Sequence, residues 1–190
     1  ITSTVEQARE LVSIAAKNNL VFQIGHLERF NLAVMALDDV LKEAQFIESH
    51  RIAPFNPRGA DVNVILDLMI HDIDIILDFV RSPVKSIQAN GVPVLSNDID
   101  VANARIQFEN GCVANVTASR VSMKSERKMR IFQPDAYITI DFQNKKLGVH
   151  RKGEGEMFSG IAGIDSMARE LEQGEGQVEE SVAFLKRLIE

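Results

Sequence analysis

Asp67 and His71, four residues apart, are the side chains of this 190-residue chain best suited by type and spacing to do chemistry. At i and i+4 on a helix, their Cβ atoms lie roughly 5–6 Å apart on one face. A carboxylate that close orients an imidazole and favours its protonated form, and an imidazole titrates near neutral pH. The pair reads as a general acid/base couple with Asp67 as the orienting partner. The alternative is a core histidine satisfied by Asp67, with no chemistry attached. Asp74 and Asp78 continue the same polar seam as second contacts or as helix surface. More charge gathers at Gly25–Phe30, GHLERF, where His26, Glu28 and Arg29 fall close together. Arg29 reads as a substrate or cofactor contact, or as a partner of Glu28 or Glu43. His26, Asp67 and His71 lack the ligand spacing of a zinc site, so no metal is expected.

The stretch that must hold this pair is Val62–Val80, VNVILDLMIHDIDIILDFV. Val62, Ile65, Leu66, Met69, Ile73, Ile76, Leu77 and Val80 share one side at helical spacing, with Val64, Leu68, Ile75 and Phe79 opposite. Only the narrow seam is polar, so the helix is expected to be covered on most sides. Before it, Ser3 and Glu6 have capping-box spacing and Val5, Ala8, Leu11, Val12 and Ala15 form a stripe. Asn18-Asn19 stops that helix, and Leu20–Ile24 reads as a buried strand. Asn31 caps a further helix reaching about Ala44, with Val34, Leu37 and Leu41 inward. Phe46–Ile52 alternates as a strand, and 53–60 is a Pro- and Gly-broken loop.

Beyond Arg81-Ser82-Pro83 the period becomes two. Strands are expected at Val84–Asn90, Asp100–Phe108, Cys112–Arg120, Arg127–Gln133, Ala136–Phe142 and Lys146–Arg151. Turns fall at Asn110-Gly111, Pro134-Asp135 and Gln143-Asn144-Lys145. Short connections imply antiparallel pairing, hence an α+β fold: an open, mostly antiparallel sheet with helices on one face. Val101, Ala104, Ile106, Phe108, Val113, Val116 and Ala118 are assigned to the open face, which is expected to join copies of the chain into a homo-oligomer. Arg120 is read as solvated, and His50 and His150 as strand surface. Lys152–Gly163 reads as mobile, and helical patterns close the chain at Ser166–Leu171 and Val178–Ile189.

Hydrophobic residues make up 45% and charged residues 25%, as in ordinary globular proteins. A net charge of −6 gives no general attraction to nucleic acid or anionic membrane. Cys112 is the one cysteine, so no intrachain disulfide forms. No apolar run reaches membrane-spanning length, because Asp67, His71 and Asp72 interrupt the longest. A soluble, cytoplasmic protein is expected.

Several segments carry a family resemblance: ITSTVEQARELVSIAAKNN, IGHLERFN, DLMIHDIDIIL and DVANARIQFENGCVANVTASR. They resemble the glucose–fructose oxidoreductase, inositol dehydrogenase and rhizopine-catabolism (Gfo/Idh/MocA) oxidoreductases, most of all the branch acting on UDP-linked amino sugars. The resemblance implies a Rossmann domain followed by an α+β domain. Residues 1–25 would be the last part of the dinucleotide-binding domain. Residues 26–190 would be the substrate-binding and dimerisation domain, itself cut short. It also implies NAD or NADP as cofactor, a sugar or sugar-nucleotide substrate, His71 as base and Asp67 as its support. Arg29, Asn31 and Asp74 would touch substrate and Phe30 the cofactor, whose main site lies outside this sequence. Leu32 stands where the family usually has proline. A different class of reading is a non-catalytic oligomerisation or ligand-binding module of the same fold.

Overall fold

The computed structural model describes residues 2, 4–38, 40–57, 62–158 and 161–170, with side chains through residue 153. The alternation after Val84 becomes strand as expected. Together with β1 (Phe46–Ile52) the strands are β2 (Val84–Val92), β3 (Val101–Phe108), β4 (Val113–Ser119), β5 (Glu126–Gln133), β6 (Ala136–Asp141), β7 (Lys146–Phe158) and β8 (Ile161–Glu170). They form one eight-stranded sheet in the order β2-β3-β4-β1-β5-β6-β7-β8. All pairings are antiparallel except β1 with β4, which is parallel. A parallel pair needs a long crossover, and the segment between β1 and β2 supplies it by carrying the central helix over one face. Gly111 holds a φ of 91° in the β3–β4 turn, the conformation an Asn-Gly hairpin demands.

The C-terminal readings do not survive. Lys152–Gly163 and Ser166–Leu171 were expected as mobile chain and helix, yet β7 extends to Phe158 and Ile161–Glu170 pairs with it. Pairing with a neighbouring strand overrides weak helical spacing. Val178–Ile189 and Leu171 lie outside the described residues.

The helices differ too. α1 (Val5–Lys17) is capped by Thr4, whose hydroxyl accepts from the Gln7 N–H while the Gln7 side chain accepts from the Thr4 N–H. The capping box is therefore one residue later than Ser3/Glu6, and Ser3 lies outside the described residues. Leu20–Ile24 is not a strand. Leu20, Val21, Phe22 and Ile24 are exposed, and no strand among the described residues lies beside them to pair. Asn31 does cap a helix, but α2 (Leu32–Met35) is one turn long. Beyond Met35 the chain goes on in turns, and Gln133 on β5 meets it farther along. Its side chain accepts from the Lys42 N–H and donates to the Val40 carbonyl, giving those backbone groups partners other than a helix. Leu37 and Val40 still reach the core.

α2 and the central helix cover one face of the sheet. Ala33, Val34, Leu37, Met69, Ile75 and Ile76 pack there on Ile47, Ala104, Val116, Ile131 and Ile138. The parity of β3 and β4 corrects the interface reading. Ala104, Ile106, Phe108, Val116 and Ala118 are buried beneath the helices, and only Val101 and Val113 point to the other face. Cys112 is buried in this core, and burial pushes its thiol up to about 11. The open face is aromatic and charged. Phe46, Phe132, Tyr137 and His150 form one row across four strands, with ring centroids 5.9, 4.9 and 5.4 Å apart in turn. The Arg130 guanidinium pairs with Glu48 at 2.7 Å, and a groove of about 670 Å³ runs beside the row.

Arg120 is the other correction. It is 2% exposed, donating from Nε to Asp100 at 2.7 Å, from Nη1 to the Val62 carbonyl and from Nη2 to Ser96. Burial opposes the charge on Asp100, but the Ser96 hydroxyl, the N–H groups of Ser96 and Val94, and Arg120 outweigh it and hold the carboxyl far below its usual range. A strand-end arginine pins the start of the central helix to the sheet.

Candidate functional site

The central helix is two structures in series. Ile65–Met69 forms a wide π turn, and Ile70–Val80 continues as α3. The Asn63 side chain starts it by accepting from the Ile65 and Leu66 N–H groups. π turns of this kind recur at functional sites. Here it separates the two residues expected as a couple. Asp67 and His71 share no hydrogen bond or ion pair among the described contacts. Asp67 borders a hollow of about 470 Å³ with Ala53, Pro54, Phe55, Asn56, Leu68 and Arg120. His71 instead meets His26, ring to ring at 6.3 Å and nearly perpendicular.

His71 is brought against a different set of charges. A 3₁₀ turn over Leu27–Phe30 places His26 and Glu28 over α3, and β1 sends Arg51 up from the sheet. Arg51 is 2% exposed and donates from Nε and Nη2 to a single oxygen of Asp72, at 3.0 and 2.7 Å. Its Nη1 reaches Glu28 Oε1 at 3.4 Å, and Arg127 approaches the same oxygen at 3.5 Å. Burial lowers the pKa of His71 from its ordinary value, and the Arg51 charge lowers it further; Glu28 and Asp72 oppose them. The expected sign is therefore reversed. His71 is held neutral, the form that accepts a proton.

The remaining predicted residues are committed within the fold. Arg29 grips Asp74 through Nε and Nη2 and reaches Asp78 at 3.2 Å. Neither Glu28 nor Glu43 is its partner. Asn31 accepts from the Ala33 N–H and donates to the Phe142 carbonyl. Phe30 is 6% exposed and borders, with Arg29, two hollows of about 230 Å³ each. Sequence reasoning missed Glu28, Arg51 and Asp72 as neighbours of His71. Buried Arg51 in an alternating strand was the available signal.

A dinucleotide's pyrophosphate needs free backbone N–H groups at a helix start, as a glycine-rich turn provides. α1, α2 and the π turn are each closed by their own Thr4, Asn31 and Asn63 side chains. These three helix starts lack the glycine-rich turn that would cradle the cofactor's phosphates.

Residues 47–139 match the family described as the GFO/IDH/MocA C-terminal domain. Over those residues the chain belongs to this family. A relative, UDP-N-acetylglucosamine 3-dehydrogenase of Acidithiobacillus ferrooxidans, is 36% identical over 188 residues, covering 98% of this chain and 60% of the relative. A solved structure of that enzyme superposes with a TM-score of 0.85 at 36% identity, over 97% of this chain and 59% of its own. The chain thus spans about three-fifths of the length of these relatives. The super-repressor mutant of Gal80p from Saccharomyces cerevisiae, at 12% identity and a TM-score of 0.80, shares the fold over 96% of this chain. Among the described residues no helix is long and apolar enough to cross a membrane.

Proposed function

We propose that this chain is the substrate-handling and assembly part of an NAD- or NADP-dependent oxidoreductase acting on a hydroxyl of a sugar or sugar nucleotide. The observation that carries this is His71: a half-buried imidazole, kept neutral, in a chain 36% identical to a UDP-N-acetylglucosamine dehydrogenase. When a secondary alcohol is oxidised its carbon loses a hydride and its oxygen a proton. His71 receives the proton. NAD or NADP supplies the hydride acceptor, its phosphates held by residues other than those described. On this reading residues 1–25 close a dinucleotide-binding domain, which accounts for the exposed apolar side chains Val5, Val12, Ile14, Val21 and Phe22.

Asp67 acts on the substrate from its own hollow and not through the imidazole. Arg29 faces substrate with Asp74 holding it, Asn31 fixes the turn that carries them, and Phe30 lies toward the nicotinamide. The open sheet face joins copies of the chain, its aromatic row providing the contact. A non-catalytic assembly module would use that same face, so the two readings part only at His71. The test is hydride transfer by the full-length enzyme with UDP-linked amino sugars. A His71→Asn enzyme retaining wild-type kcat defeats the catalytic reading.

A further inference from the structure

His71 presents its two ring nitrogens to different surroundings. Nδ1 is buried with no hydrogen-bond partner. Nε2 shares no hydrogen bond among the described residues either, yet it is not among the buried unpartnered atoms, so it is the nitrogen left toward solvent. An imidazole working as a base must carry its proton on the other nitrogen, and something must hold that proton there. Asp67, the residue that spacing suggested, shares no hydrogen bond or ion pair with the ring among the described contacts, and is not among the charges that shift its pKa. The groups that do surround it are His26 and Glu28 from the 3₁₀ turn, Arg51 from β1, and Asp72 from its own helix.

Two of these are carboxylates with one oxygen spare. Arg51 occupies only Oδ1 of Asp72 and only Oε1 of Glu28, leaving Asp72 Oδ2 and Glu28 Oε2 buried and unpartnered. Buried carboxylate oxygens are strong acceptors and costly to leave without a donor. Helix geometry separates the candidates. Residues i and i+1 point about 100° apart around an α-helix, so Asp72, drawn to Arg51, is turned away from the ring of His71. Glu28 arrives from a different element, two residues after His26, whose ring already meets that of His71. Arg51 and the half-exposed Arg127 both reach the same oxygen of Glu28, Oε1, so Oε2 is the oxygen left for another donor.

We infer that Glu28 is the positioning residue of His71. Its Oε2 accepts from Nδ1–H through one bridging water, which fixes the tautomer and leaves Nε2 as the proton acceptor. The inference rests on His71 being the base, and the experiment separates the two.

The first measurement needs no variant. Nitrogen-15 NMR of histidine-labelled full-length protein, with His71 assigned by its loss in His71→Asn, should show a neutral ring protonated at Nδ1. A ring protonated at Nε2 overturns the inference. The second follows the acidic limb of the kcat/KM profile. Removing the Glu28 charge takes away an influence that raises the His71 pKa, so Glu28→Gln should move the limb to lower pH, by about half a unit to one unit, with kcat about tenfold lower. Asp67→Asn should leave the position of the limb where it is. A limb that moves in Asp67→Asn and stays in Glu28→Gln overturns the role of Glu28 while leaving His71 as base. A limb that persists in His71→Asn defeats the base assignment itself. Should Glu28→Gln fold poorly, the tautomer in the unaltered protein still decides.

Discussion

Arg29 holds Asp74 with two parallel hydrogen bonds, 2.5 Å from Nε and 2.6 Å from Nη2, across 45 residues of chain. Bidentate geometry of this kind is specific to a guanidinium. The Asp74 hydrogen bond leads the influences that raise the Arg29 pKa, ahead of an opposing cost of burial. Arg29→Lys should therefore lower Tm by a few degrees while keeping the charge. If Arg29 also faces substrate, KM should rise several-fold in the same variant with kcat little changed. Thermal melts and steady-state kinetics on one preparation measure both. An unchanged KM beside a lowered Tm would limit Arg29 to holding the 3₁₀ turn.

His71→Asn in the full-length enzyme should reduce kcat by roughly 10²–10⁴-fold with little change in substrate affinity. Because Asp67 borders a hollow that His71 does not line, and shares no hydrogen bond or ion pair with it among the described contacts, Asp67→Asn should act chiefly on KM. Its effect should add to that of His71→Asn, as expected for groups without a shared partner. Strong non-additivity would restore the couple that the spacing suggests.

Stability should depend on pH through His71. Its pKa is lowered in the folded state, so the unfolded chain binds more protons in the interval below about 6.5, the ordinary histidine value. The stabilisation is complete above that value and is lost as pH falls through the folded-state pKa. Tm should decline between pH 7 and pH 5, and His71→Asn should flatten that decline. A variant melting with the same slope would place the titrating group elsewhere.

Arg51 tests the buried cluster. Both it and Asp72 are almost wholly excluded from solvent, with side chains 3% and 1% exposed. Replacing one member of such a pair leaves a buried charge unpaired and costs about 3–5 kcal/mol. Arg51→Met should accordingly lower Tm by about 10 °C, and Arg51→Met with Asp72→Leu should recover part of the loss. Equal melting of the two variants would mean that the charges contribute little.

The open face should hold copies together. Tyr137→Asp places a charge in the aromatic row and should shift sedimentation from oligomer to monomer without unfolding the sheet. A wild-type protein sedimenting as a monomer at high micromolar concentration would count against assembly through this face.

The strands were legible because alternation is a local property. Phe46–Ile52 and the turns at Asn110-Gly111 and Gln143-Asn144-Lys145 follow from side-chain period and backbone preference alone. What escaped was set by distant partners. Asn31–Ala44 has helical spacing, but beyond Met35 it goes on in turns, where Gln133, some 90 residues later, meets it. Val101 and Ala104 were grouped on one face, although positions an odd number apart face opposite ways. The site was legible in residue type and illegible in pairing. His71 stands out in an apolar helix, while Arg51 and Glu28 come from a strand and a turn that no helical spacing connects to it. The π turn that parts Asp67 from His71 has no sequence signature.

Cys112 has a consequence for how opening of this fold can be observed. With its thiol at about 11 and its side chain in the core between β3 and β4, the nucleophilic thiolate is both scarce and shielded in the native state. An unfolded thiol titrates near 8.5, so exposure alone raises the reactive fraction at pH 8 by more than a hundredfold. As the one sulfhydryl in the sequence, Cys112 makes the chain its own clock. The rate at which a thiol reagent labels it reports how often the helix-covered face of the sheet comes apart.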